Sequence, residues 1–518
     1  MKAAEALVQT AIDAGIDTMF ANPGTTEIPV VNALDAVPGM RAVLGLQENV
    51  VTGAADGYAR MTGVPSLTLL HLGPGFANGI ANLHNARRAR TPIVNLIGEH
   101  ATWHDTPDSP LASDIESLAG PVSGWVGRSS AAVEMPGDLA TAIAQSQKGA
   151  GQIATLILPH DLQIAEGAAP AAPLTPPART AVSEAAVARA REAIERGDAL
   201  LFLGNAALSE AGLRAAGRIA AARGVQLMSQ MSNARAERGA GLPLFTRLPY
   251  FPERALAALA PYRTLVLAGA NPPVTFFGWP GYASSLVPEG TTVETLAGPD
   301  DDIAAALEAL AEALGAKASD APHNAAPPPP ERPSRSTGPI TAECLSATLA
   351  ALQPEGAIVV NEAVTSGWNY HAQSMGAPRF TELQITGGAI GCGPPLSLGA
   401  ALACPGRPVL NLQADGSALY TPQALWSQAR EGAHVITLIC SNRRYRILQT
   451  ELERAGLNRP GPAASELTDL ARPAIDWPAL ARGFGVPARS VENAEDLADA
   501  LERALAGEGP HLIEAVLA

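Results

Sequence analysis

The sequence predicts an α/β protein built from three doubly wound parallel-sheet domains. Three observations lead there. Short apolar strand-like runs alternate with helical stretches along the whole chain, two proline-rich composition shifts interrupt that alternation, and 518 residues exceed what one hydrophobic core organises. The interruptions lie at 166–177 and, more strongly, at 321–333, which contains Pro327-Pro328-Pro329-Pro330; such runs favour extended, solvated chain. They leave segments 1–165, 182–318 and 339–518, with 319–338 as a linker.

In the first segment the apolar runs at 18–20, 42–44, 66–70, 93–97 and 153–158 read as strands. In the middle segment 199–203, 226–228 and 264–268 do so, and in the last 357–360, 407–412, 434–440 and 510–516. Runs this uniformly apolar are buried on both faces, as strands of a parallel sheet covered by helices are. A helix is expected close to the N-terminus, with no signal peptide before it.

Composition narrows the function classes. Apolar residues make up 47% and charged residues 16%, which suits a compact soluble chain. The net charge of -15, with no basic block, argues against a nucleic-acid partner. No apolar run reaches membrane-spanning length, so no membrane partner is expected. Cys344, Cys392, Cys404 and Cys440 form no CxxC pair, a pattern of reduced thiols that fits a cytoplasmic location.

Residues able to do chemistry gather where strands end. Asp415, in Ala414-Asp415-Gly416-Ser417, follows one strand, and Asn442, in Ser441-Asn442-Arg443-Arg444, follows the next, with the helical stretch 424–430 between them. An acid and an amide at neighbouring strand ends offer oxygen ligands to one hard cation that keeps room for phosphate oxygens. The plain alternative is an Asp-Gly surface turn and an unrelated Asn. Glu48 stands between the strand at 42–44 and a helix over 52–60, where the helix N-terminus favours its charge. Its plain alternative is a capping acid. Asn22-Pro23-Gly24-Thr25 forms a turn after the first strand, and His71 ends the strand at 66–70, before a Gly73-Pro74-Gly75 loop and Asn78. Glycines over 386–393 permit close approach of backbone to a ligand. His100 and His104, past the next strand, are either proton donors or ordinary loop histidines.

The acid–glycine pair, the helix-sized gap and the closing Asn resemble the diphosphate–magnesium motif of thiamin diphosphate enzymes of the acetolactate synthase and benzoylformate decarboxylase group. Ala414 and Ser441 depart from that motif, which has Gly and Asn there. Glu48 after Gln47, the Asn-Pro-Gly turn, His71 and the 386–393 run resemble the same family. The resemblance implies a pyrimidine-binding domain, a central domain and a diphosphate-binding domain, with thiamin diphosphate and Mg²⁺ as cofactors. It implies that Asp415, the Asn442 side chain and the Arg444 carbonyl hold Mg²⁺, and that Gly416, Ser417 and Thr365 meet the diphosphate. Gly388 would meet the aminopyrimidine, Ile390 would wedge beneath the bent cofactor, and Glu48 would hydrogen-bond the N1′ nitrogen. Asn22, Pro23, Gly24, Thr25, His71 and Asn78 would line the remaining site.

The partner implied is a small 2-oxo acid, decarboxylated with or without transfer to a second carbonyl, in a homodimer or homotetramer with sites between chains. Gly278 in place of a second active-site His, and Glu451 in place of a phenyl-facing Phe, weigh against an aromatic substrate, and Glu451 would repel a second carboxylate. A cofactor-binding but inactive regulator is the alternative from another class. A dinucleotide oxidoreductase is disfavoured because no GxGxxG run is clean.

Overall fold

The computed structural model describes residues 1–104, 108–317, 331–457 and 461–518. The proline-rich linker expected over 319–338 lies outside these up to residue 330. The first sheet comprises β1 (Thr18–Asn22), β2 (Arg41–Leu44), β3 (Ser66–His71), β4 (Ile93–Glu99), β5 (Trp125–Arg128) and β6 (Ile153–Pro159), in the order β2-β1-β3-β4-β6-β5 with every pair parallel. The middle segment supplies β7 (Ala199–Leu203), β8 (Gln226–Ser229), β9 (Ala236–Arg238), β10 (Thr246–Arg247), β11 (Thr264–Ala268) and β12 (Thr292–Ala297). Five of these form a parallel sheet in the order β10-β8-β7-β11-β12.

The third sheet contains β13 (Ile358–Glu362), β14 (Phe380–Gln384), β15 (Val409–Ala414), β16 (Val435–Ser441), β17 (Ala488–Val491) and β18 (His511–Val516). Its order is β17-β18-β16-β15-β13-β14-β9, and β9 pairs antiparallel with β14. The all-parallel expectation therefore needs one correction: the middle segment lends an antiparallel edge strand to the third sheet. The apolar pattern did not reveal β9, because Ala-Glu-Arg is no hydrophobic run. Its place is held by a buried ion pair, Arg238 Nη1 to Glu382 at 2.8 Å. The polar or short strands β5, β10, β12, β14 and β17 were also not among those expected.

Central strands such as β4 and β6 are buried at every position, which their apolar runs require. The outer domains dock through glycine. The helix Glu48–Thr62 crosses the helix Gly393–Ala403 so closely that a Cβ on Gly57 would overlap the Leu396 carbonyl, and one on Gly399 the Ala54 carbonyl. Arg60, paired with Asp56 at 2.5 Å in that contact, also donates to the Ala234 and Gln384 carbonyls, so it knits all three segments together.

In each sheet the strand order reverses beside its first strand, the position at whose carboxyl edge a ligand crevice can form. The reversals lie between β1 and β3, between β7 and β11, and between β13 and β15.

Candidate active site

At the first reversal Asn22 ends β1 and His71 ends β3. Gly24 lies against the His71 ring, where any Cβ would overlap the imidazole. His71 Nδ1 is 2.8 Å from Glu27 Oε2 and 3.3 Å from Thr26 Oγ1. Glu27 is fully buried and also accepts from the Gly24 N–H at 2.7 Å and the Thr26 hydroxyl at 2.6 Å. A carboxylate so placed holds the hydrogen on Nδ1 and leaves Nε2 as the nitrogen available to a ligand. Thr25 is exposed and opens the short 3-10 turn Thr25–Glu27.

Glu48 is the first residue of its helix, 9% exposed, and accepts from Asn78 Nδ2 at 3.1 Å. A Cβ on Gly75 would touch Glu48 Oε1 and His71 Cβ, both at 3.2 Å, so the two expected catalytic side chains flank one glycine. The Gly73-Pro74-Gly75 loop is a correction: these residues form the first turn of the helix Leu72–Ala89. The glycines serve close packing there, with Gly73 against Ser113 and Gly75 against Glu48.

At the third reversal Asp415 follows β15 and Thr365 lies in the turn Val364–Gly367 just after β13. Asp415 accepts the Gly416 N–H at 2.8 Å and the Arg443 N–H at 2.6 Å, which brings it beside Asn442. Burial pushes its carboxyl up, and only backbone N–H groups offset that; no cationic side chain contributes. Asn442 Oδ1 accepts from the Arg444 N–H at 3.0 Å, and the Arg444 carbonyl accepts from the Arg446 N–H at 3.0 Å. Gly416 packs under the Tyr445 ring, and Ser417 accepts from Gln413 at 2.7 Å. A buried carboxylate without a cationic partner, beside amide and carbonyl oxygens, fits a hard divalent ion. Among the described residues no group of three His, Cys, Asp or Glu side chains is placed to hold a metal ion by itself.

Three non-glycine residues with left-handed backbone sit beside these groups. Leu72 (φ 51) follows His71, Val364 (φ 48) precedes Thr365, and Arg443 (φ 56) follows Asn442. Such conformations cost about 1–3 kcal/mol each, most clearly for a β-branched Val, and concentrate at ligand sites.

The loop from Thr386 to Cys392 leaves Gly388 exposed and Ile390 half-buried, whereas everything from Gly391 through Ala400 is buried. Phe276 lies over Gly388. It belongs to a ring cluster with Tyr250, Phe251, Phe277, Trp279 and Trp368, whose neighbouring centroids are 4.8–6.5 Å apart. Glu451 accepts from Trp279 Nε1 at 2.9 Å and lies 3.9 Å from Arg454, whose guanidinium covers the Phe251 ring at 4.3 Å. The Oε2 of Glu451 thus ties it to the ring cluster, while Oε1 is buried with no hydrogen-bond partner among the described residues. His100 bonds Ser109 at 2.9 Å and meets His104 edge-to-face at 5.4 Å; among the described residues neither is hydrogen-bonded to His71.

The Glu48–His71 group and the Asp415–Asn442 group share no direct hydrogen bond among the described residues. Glu27, Glu362 and Asn85 were missed. Glu27, three residues after Gly24, reads as an ordinary capping acid, and Glu362 and Asn85 read as strand-end and helix-surface polar residues.

A carboxylate at a helix start in the first domain and an acid–amide pair at the third sheet's reversal are the arrangement the resemblance to thiamin diphosphate-dependent enzymes implies. The model of the N-terminal TPP binding domain of thiamine pyrophosphate enzymes matches residues 1–116, and that of their C-terminal TPP binding domain matches residues 365–515. The chain belongs to this family and is of the acetolactate synthase and benzoylformate decarboxylase type. It is 49% identical over 520 residues to the Mycobacterium tuberculosis protein named "Putative acetolactate synthase large subunit IlvX", covering 100% of this chain and 99% of that one. Benzoylformate decarboxylase of Pseudomonas aeruginosa is 31% identical over 533 residues, covering 96% of each chain. The thiamine diphosphate-dependent 4-hydroxybenzoylformate decarboxylase of Rhodococcus jostii RHA1 has TM-score 0.87 at 26% identity over 100% of this chain and 99% of that one.

Proposed function

We propose that the protein decarboxylates a 2-oxo acid with an aromatic or bulky apolar substituent, using thiamin diphosphate and Mg²⁺. The observation that carries the substrate class is the ring cluster beside Gly388. Phe276, Phe277 and Trp368 are between 38% and 55% exposed there, although large apolar side chains normally seek cover. An aryl group would supply that cover.

When bound, thiamin diphosphate supplies the nucleophilic carbon and the electron sink for loss of carbon dioxide. The chain's residues bind, orient and move protons. Glu48, oriented by Asn78, holds a proton at the N1′ nitrogen. Asp415, the Asn442 side chain and the Arg444 carbonyl hold Mg²⁺, while Gly416, Ser417 and Thr365 meet the diphosphate. Gly388 and Ile390 would face the cofactor from the 386–392 loop and orient it. His71, its Nδ1 fixed by Glu27, exchanges a proton through Nε2 near the substrate, beside Asn22, Pro23, Gly24 and Thr25. The two residue groups come together across a homodimer interface, so each site draws on two chains.

Transfer to a second carbonyl is a second reading, supported by the 49% identity to a protein named as an acetolactate synthase subunit. Incubating the protein with thiamin diphosphate, Mg²⁺ and a panel including pyruvate and benzoylformate tests both. Free aldehyde from the aryl acids supports the first reading, acetolactate or acetoin from pyruvate the second. Cofactor binding without turnover of any 2-oxo acid would point to a regulator.

A further inference from the structure

The loop from Thr386 to Gly393 is gripped at both ends by buried polar side chains that the catalytic assignment leaves unused. Asn85, fully buried in the helix Leu72–Ala89, holds the front half. Its Oδ1 accepts the Gly387 N–H at 3.1 Å and the Ala389 N–H at 3.2 Å, and its Nδ2 donates to the Ala389 carbonyl at 2.7 Å. The Asn85 carbonyl accepts from Thr386 Oγ1 at 2.7 Å, and His84 Nε2 lies 3.1 Å from the Gly387 carbonyl. Glu362, at the end of β13, holds the back half. It accepts the N–H groups of Gly391 at 2.6 Å, Cys392 at 3.3 Å and Gly393 at 2.6 Å, and Gln413 Nε2 at 3.0 Å.

Between the two grips only Gly388 and Ile390 remain uncommitted, and these are the residues turned over to the ring cluster and to solvent. Asn85 also continues inward. Its Nδ2 donates to Asn82 Oδ1 at 3.1 Å, and Asn82 donates its N–H and its Nδ2 to the Oδ1 and carbonyl of Asn49, the residue after Glu48, both at 2.8 Å. Three buried asparagines thus join the segment carrying Glu48 to the loop.

We propose that Asn85 and Glu362 are positioning residues that set this loop before any cofactor arrives, and that the Asn49–Asn82–Asn85 ladder ties its geometry to Glu48. The inference rests on the thiamin diphosphate reading only for its consequence, not for the preset loop itself. An amide held by two well-formed bonds to one side chain resists opening, and removing that side chain leaves buried N–H groups unsatisfied.

The test compares the full-length protein with its Asn85→Ala and Glu362→Gln variants. Amide hydrogen exchange of 386–393 without cofactor is read first. Asn85→Ala is expected to lower protection at Gly387 and Ala389 at least about tenfold, the loss of roughly one hydrogen bond, while β4 and β6 stay protected. Glu362→Gln, which keeps one acceptor oxygen, should lower protection at one of Gly391 and Gly393 by a similar factor. With thiamin diphosphate and Mg²⁺ added, cofactor C2–H exchange should slow at least about tenfold in Asn85→Ala while the dissociation constant moves less than about threefold. Asn85→Asp, which keeps the acceptor for both N–H groups, should recover part of the protection. Unchanged loop protection in Asn85→Ala would overturn the proposal. Failure of the wild-type protein to bind thiamin diphosphate would instead overturn the functional reading, leaving the exchange result to stand alone.

Discussion

The first and third sheets carry the same relative strand order around their reversals, whereas the middle sheet winds two strands to each side of its first strand and packs backbone on backbone at its reversal. Between β7 and β11, a Cβ on Gly204 would overlap the Gly269 carbonyl and one on Gly269 the Gly204 carbonyl, while Asn205 Nδ2 donates to the Gly269 carbonyl at 2.7 Å. Backbone meets backbone directly between these strand ends, and the neighbouring cavity lined by Asn205, Ala206 and Ser209 faces Arg60 and Arg90 of the first segment instead. At the outer reversals, glycines back onto His71 and Tyr445, and the strand ends carry Glu27, His71, Asp415 and Asn442. The comparison teaches that each sheet has a reversal and that side-chain chemistry at the strand ends decides which reversals become sites. The outer two also divide their work: the first offers proton-transfer groups, the third one acid and many backbone dipoles.

The comparison is tested most severely at the third reversal. Asp415→Ala should weaken thiamin diphosphate binding at least about 10³-fold in the presence of Mg²⁺ and make the remainder indifferent to chelator, as calorimetric titration would show. At the first reversal, Glu48→Gln should slow cofactor C2–H exchange about 10²–10³-fold, measured by proton NMR, with affinity nearly kept. The same Gly→Ala change should act differently at two reversals. Gly269→Ala, at φ 70 and against backbone, should cost about 2–4 kcal/mol of unfolding free energy in urea titration. Gly416→Ala, whose neighbour is the movable Tyr445 ring, should cost less stability and more cofactor affinity. The smallest effect is expected from Glu27→Gln, which keeps size but loses the charge beside His71. Turnover should fall about tenfold in steady-state assays, because the Nδ1 hydrogen of His71 loses its carboxylate acceptor.

Much of this was legible in the sequence. The βαβ unit around Asp415 was visible because apolar strand runs, a helical repeat and an Asp-Gly pair coincide, and the structure places Asp415 and Asn442 at adjacent strand ends as expected. Glu48 and His71 were visible as chemistry-bearing residues at strand–helix junctions. What stayed hidden depends on tertiary contact. β9 has no hydrophobic pattern because its ion pair lies across two domains, and Asn85 looks like any polar helix residue until the loop it holds is folded onto it. The contact of Glu451 with the rings was hidden because its partner, Trp279, is 172 residues away. The glycines at 73 and 75 suggested a loop, although close packing inside a helix is what requires them.

One mixing experiment tests most directly whether the two outer crevices act on a single cofactor. Glu48→Gln and Asp415→Ala each disable one crevice, and a dimer with sites between chains regains one intact site when one copy of each associates. After unfolding and refolding the two variants together, rapid C2–H exchange should return to about one quarter of the wild-type level, because half of randomly paired dimers are mixed and each has one of two sites intact. A mixture that forms such dimers and exchanges no faster than the Glu48→Gln protein alone would contradict the account.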